Sequence, residues 1–156
     1  MEILEWIGGL ALAHHLKRSA LLYMAVNAAH ILAIASLIGA ILPLDLRILG
    51  LFRSFPLAVL GPFLSRAASV GVVAAVVTGL CLFTVRPVEY AGNPAFLCKI
   101  GLLAFGVLNA LLLHASPDWR RAISLGVASF RVKLSAAISF FIWIGALIAG
   151  RWIGFL

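Results

Sequence analysis

Four long apolar runs constrain this chain more than any other feature. They lie at about residues 21–42, 67–85, 95–113 and 134–153. At a rise of about 1.5 Å per residue, each is long enough to cross the roughly 30 Å hydrocarbon layer of a bilayer. A soluble domain has no means of covering four such segments. Of the 156 residues, 64% are hydrophobic and only 11% are charged, so the class is integral membrane protein. Backbone groups must be satisfied internally in hydrocarbon, and spans of this length achieve that as helices. The expected fold is all-α, a four-helix membrane bundle forming a single transmembrane domain over residues 1–156.

An additional N-terminal interfacial helix is expected over residues 2–16. It opens with Glu2 and Glu5 and ends in His14-His15-Leu16-Lys17-Arg18. A secretory signal opens with basic residues instead, whereas Gly8-Gly9 and Trp6 suit a helix lying at headgroup level. Span one is expected to stop near Pro43. The stretch from Pro43 to Arg66, with Asp45, Arg47, Arg53, Pro56 and Pro62, reads as a helix end followed by an interfacial piece. Arg86-Pro87 closes span two, and Asn93-Pro94 marks a turn into span three. Ser116-Pro117-Asp118 has the pattern of an N-cap, with proline and an acid in the first turn of an amphipathic segment.

The formal net charge of +7 does not point to nucleic acid, because the positive residues sit at span ends, where they meet lipid headgroups and set topology. The first and third loops hold Arg47, Arg53, Arg66, Arg120, Arg121, Arg131 and Lys133; the other side holds Lys17, Arg18, Arg86, Lys99 and Arg151. That bias places both termini outside the cytoplasm. Stripes of small residues (Gly71, Ala75 and Thr78; Gly101 and Ala104; Gly145 and Ala149) mark faces where helices approach closely, and they also admit a homo-oligomer. Cys81 and Cys98 lack ligand-type spacing and read as free thiols rather than a disulfide.

Against this apolar background His30 stands out, about nine residues into span one. An ionisable residue there is costly and marks a functional site unless it serves as packing glue. Asn27 lies three residues earlier on the same face and can assist the imidazole. A neutral imidazole in a bundle is a natural ligand for haem iron or another metal. His114 lies at the far end of span three, about 18 Å below His30 by helical rise, too far to share one iron with it. An interfacial role beside Asp118 or Arg47 suits His114 better. Lys99 enters span three on the side nearer His30, where it, or Arg86, can neutralise haem propionates. His14 and His15 lie on that side too and can close a site from the interfacial helix. No hydrolase triad, zinc motif, P-loop or dinucleotide fingerprint is present.

The run Tyr23…Asn27-x-x-His30, Ile38-Gly39…Leu44-Asp45-Leu46-Arg47, Val77-Thr78-Gly79-Leu80-Cys81, Asn93-Pro94-Ala95-Phe96-Leu97-Cys98-Lys99 and Leu108-Asn109-Ala110…His114 resembles an uncharacterised bacterial four-helix membrane domain family. It is more distantly similar to the copper resistance protein D-like domain and the membrane protoporphyrinogen IX oxidase family. The oxidase resemblance implies haem b on His30 and a functional role for Lys99. Where that family has an aromatic before the glycine and a Pro-Arg pair after it, this chain has Ile38 before Gly39 and Leu46 before Arg47. The resemblance therefore carries haem binding further than porphyrinogen oxidation. The function expected is a small b-type cytochrome of the bacterial inner membrane, a membrane oxidoreductase exchanging electrons with a quinone or a membrane redox partner. The alternatives are a copper or other metal-handling protein using His30, Met24 and Cys81, and a non-catalytic assembly subunit in which His30 only packs.

Overall fold

The computed structural model describes residues 2–155, and these are helical almost throughout. Two short helices, α1 (Glu2–Gly8) and α2 (Ala11–Arg18), precede four long ones: α3 (Ala20–Leu49), α4 (Leu57–Phe83), α6 (Pro94–Ala115) and α8 (Phe130–Trp152). The short α5 (Pro87–Gly92) joins α4 to α6, the short α7 (Pro117–Leu125) joins α6 to α8, and a single 3-10 turn (Ile153–Phe155) follows α8. All four long helices are long and apolar enough to cross a membrane. The protein is an all-α four-helix membrane bundle. Its chain runs up and down, so α1, α2, α5 and the C-terminal turn share one end, and α7 lies at the other.

The N-terminal segment breaks at Gly9-Leu10 into two helices, because the glycine pair cannot sustain a helical run. Within α2, Ala13 and Leu16 are buried while His14, His15, Lys17 and Arg18 face outward, as an amphipathic surface helix requires. Ser19 then caps α3, its hydroxyl accepting from the Leu22 amide.

The largest departure from the sequence-based expectation is the length of the first two spans. α3 does not stop at Pro43 but continues to Leu49, and α4 starts at Leu57 and runs through Pro62. A proline costs a helix one hydrogen bond. Burial of Leu44 and Ile48 beyond Pro43 offsets that loss. Gly50 in the left-handed conformation ends α3, its amide bonding to the Leu46 and Arg47 carbonyls. Arg47 Nε donates to the Phe55 carbonyl at 2.7 Å and closes the α3–α4 turn. Asp45 and Arg47 thus find separate partners. At the other connection, Ser116 caps α7 by accepting from the Trp119 amide at 3.1 Å.

The long helices pack in the series α4–α3–α8–α6, leaving α4 against α6 the least closely packed side. The α3–α4 contact is tightest at Gly71, where a Cβ would lie 2.8 Å from the Leu37 backbone nitrogen. On α6 the close approach is at Gly106, against Trp143 of α8. The sequence stripe at Gly101 and Ala104 is not that contact, since nothing lies near a Cβ at Gly101 and Ala104 is exposed. The core is built from Leu37, Ala40, Leu44, Ala68, Val132, Ala136 and Trp143. Leu32, Val70, Phe105, Leu112, Phe141 and Ile148 point outward, an apolar coat that only lipid or another apolar partner covers.

Candidate functional site

His30 sits on α3 about 15 Å from that helix's start, and it points between helices toward α4. Its Nδ1 lies 2.9 Å from Thr78 Oγ1. The same hydroxyl is 2.6 Å from the Ala74 carbonyl, one turn back. A carbonyl has no proton to give, so the hydroxyl proton belongs in the Thr78–Ala74 bond. Thr78 Oγ1 is then the acceptor for His30 Nδ1–H. This assigns the tautomer: Nε2 carries the lone pair, and among the described residues no group donates to it.

Two further residues shape the surroundings. Gly79 lets the imidazole lie close against α4, for a Cβ there would stand 3.1 Å from His30 Cε1. Lys99 of α6 lays its stem across Gly150 of α8, with Cδ, Cε and Nζ each 3.4 Å from where a Gly150 Cβ would be. Lys99 is half-buried rather than extended to the surface. Its ammonium lies near enough to act electrostatically on His30. The four helices thus supply His30, the Thr78-Gly79 pair, Lys99 and a glycine that gives the lysine room.

This arrangement lies in the half of the bundle nearest α5. Thr78 is only about 7 Å along α4 from that helix's end at Phe83, so His30 is shallower than its place on α3 alone implies. An aromatic stack roofs that end: Tyr90 of α5 packs on Phe83 and Phe96, with ring centroids 5.5–6.2 Å apart. Burial pushes the Tyr90 phenol above its usual pKa. Arg86 pairs with Glu89 at 3.1 Å on the surface, so Lys99, not Arg86, is the cation turned into the bundle.

The other residues singled out from sequence lie elsewhere. Asn27 is exposed, and Thr78 rather than Asn27 holds the imidazole. His14 and His15 are exposed on α2. His114 is at the α7 end, where Nε2 meets Ser65 Oγ at 3.0 Å, Nδ1 meets the Ala110 carbonyl at 2.7 Å, and the ring leans on Trp119. Ser65 and Thr78 stand about 20 Å apart along α4, so His30 and His114 serve different ends of the molecule. Neither Asp118 nor Arg47 is the hydrogen-bond partner of His114. Met24 is 60% exposed, and no cluster of three metal-ligating His, Cys, Asp or Glu residues occurs among the described residues.

A second polar layer escaped the sequence reading. Asp45 is 2% exposed, with Ser139 of α8 beside its carboxyl and no hydrogen-bond partner for Oδ2. One turn toward α7, Asn109 and Ser135 clasp α6 to α8: Ser135 Oγ donates to Asn109 Oδ1 at 2.9 Å, and Asn109 Nδ2 donates to the Ser135 carbonyl at 3.1 Å. The signal was present as Ser135 and Ser139 spaced four apart on one face of span four.

The model of a family of unknown function (DUF6644) matches residues 3–156. The chain belongs to that family. No curated protein and no solved structure matches it. For this DUF6644 member, the chemistry has to be argued from the His30 arrangement itself.

Proposed function

We propose that this DUF6644 protein binds haem b through His30 and acts as a small b-type cytochrome, exchanging electrons with a quinone or a membrane redox partner. The observation that carries the reading is the His30–Thr78–Ala74 relay, which supports Nδ1 as the donor and would leave Nε2 available to a ligand. Ligating histidines depend on such an anchor for their tautomer and ring orientation. The residues present fit the group in one further respect. Lys99 supplies an inward-turned cation that can offset a propionate.

Bound haem b would supply one-electron chemistry, its potential set by the axial ligand, neighbouring hydrogen bonds and burial. The chain's own part is to hold and orient. Thr78 keeps the ring from rotating, the apolar helix faces exclude water, and Lys99 places positive charge beside the site. On this reading the α7 end faces the cytoplasm of a bacterial inner membrane and the His30 end an external partner, an orientation that the Lys and Arg bias favours.

The test is an optical spectrum of protein purified after expression with ample haem supply. A Soret band and a reduced α band that disappear in His30→Ala but persist in His114→Ala support the reading. Absence of both bands in the parent protein overturns it.

A further inference from the structure

At the α7 end, two concave surfaces meet at one residue. An open cup of about 390 Å³ is lined by Pro62, Ser65, Arg66, His114, Trp119 and Arg120, among others. A groove of about 630 Å³ runs between α3 and α4, with Ala29, Ala33 and Ser36 on one wall and Ala67, Val70 and Ala74 on the other. Arg66 belongs to both. The cup has two arginines, Arg66 and Arg120, over a mainly apolar lining; the groove is apolar, with Arg66 its one charged lining residue.

We propose that cup and groove together form a binding site for an anionic phospholipid, headgroup phosphate in the cup and an acyl chain in the groove. Charge complementarity identifies the occupant. Arg66 and Arg120 are both exposed, neither forms an ion pair among the described residues, and neither lining contains an acidic residue. His114 is held by Ser65 and Ala110 and forms a fixed polar wall between the two arginines' helices. The cup exists because α7 docks on α4 at Gly61, where any Cβ would collide with Ile123.

The groove has the complementary shape. From Phe63 to Ala74 it extends about 16 Å along α4, toward the middle of the membrane. Leu32, Phe63 and Val70 also line it, and the small Ala29, Ala33, Ala67, Gly71 and Ala74 leave the trough among them. A guanidinium at the headgroup level and an apolar trough rising from it match a molecule that is anionic at one end and hydrocarbon at the other. Basic pockets between membrane helices hold anionic headgroups in this way.

The experiment is native mass spectrometry of the full chain in non-ionic detergent, titrated with dioleoyl phosphatidylglycerol or dioleoyl phosphatidylcholine. Phosphatidylglycerol is expected to bind on the order of tenfold more tightly. The double variant Arg66→Gln/Arg120→Gln is expected to abolish that preference, while Arg121→Gln/Arg131→Gln, with the same charge removed outside the cup, retains it. Ser36→Leu, which fills the groove, is expected to weaken both lipids while keeping their ratio. Equal binding of the two lipids by the parent chain would overturn the proposal. So would equal losses in the two double variants, which would mean general surface attraction. Circular dichroism confirms that each variant is folded, and all four substituted arginines are exposed.

Discussion

Thr78 does more for His30 than any other residue, and its role can be separated from mere packing. Valine at position 78 keeps the shape and removes the oxygen that accepts from Nδ1. If His30 is a haem ligand, Thr78→Val is expected to lower haem affinity about 10- to 100-fold, the usual penalty for losing a ligand's supporting hydrogen bond. Thr78→Ser retains the hydroxyl and is expected to stay near the parent. Haem titration followed by the Soret band checks both, and equal affinities for the two variants would refute the relay.

Asp45 supports a second prediction at this scale. Ser139 is the polar neighbour of its buried carboxyl, so Ser139→Ala is expected to destabilise the bundle by about 1 kcal/mol. Ser69→Ala is expected to have little effect, because Ser69 is exposed and its hydroxyl bonds only to the Ser65 carbonyl of its own helix. Thermal unfolding in detergent compares them. His30 was legible in the sequence because an imidazole in an apolar run needs a polar partner, whether it forms a site or only packs. Thr78 was legible only as a small residue, since nothing in a linear sequence tells a threonine that bonds its own helix from one that also holds a histidine 48 residues away.

At the scale of elements, helix identity was plain and helix ends were not. Hydropathy reveals the part of a helix that lipid covers, but α3 and α4 extend past it. In sequence, Asp45 and Arg47 read as part of a helix end, because charged groups ordinarily face water. In the folded chain Asp45 is covered by α8, and Arg47 reaches a backbone carbonyl in the turn. Contact faces were half legible for a related reason: small residues permit close approach, but which helix takes up the offer depends on packing. Gly71 and Gly101 provide the contrast. Gly71→Ala would thrust a Cβ to 2.8–3.0 Å from Leu37 backbone and side-chain atoms, and backbone cannot swing aside. It is expected to cost about 1–3 kcal/mol, as overpacking does. Gly101→Ala meets open space and is expected to be neutral or slightly stabilising, because alanine favours helix over glycine by about 1 kcal/mol. Unfolding in detergent should separate the two variants by several degrees, and equal midpoints would mean that the α3–α4 seam is not tightly packed at Gly71.

For the whole molecule, an even number of spans forces both ends of the chain to one side, so a single orientation decides the side of everything else. Turning Lys99 into the bundle removes one cation from the α5 end, which leaves Lys17, Arg18, Arg86 and Arg151 there, with Arg86 paired to Glu89. Arg53, Arg66, Arg120, Arg121, Arg131 and Lys133 remain outward at the α7 end, besides Arg47 in its turn. Positive loops stay in the cytoplasm, which makes the α7 end the expected inner side, and labelling tests it. In a background with Cys81 and Cys98 replaced by serine, Val127→Cys in the exposed α7–α8 connection is expected to react with a membrane-impermeant maleimide only after cells are permeabilised. Ala11→Cys on α2 is expected to react in intact cells. The reverse pattern would turn the molecule over, placing the His30 site toward the cytoplasm and the arginine cup toward the outer leaflet. The proposed electron partner would then have to be cytoplasmic, whereas the chemistry at His30 and the lipid preference of the cup would stand unchanged, because both rest on contacts within the bundle rather than on which way it faces.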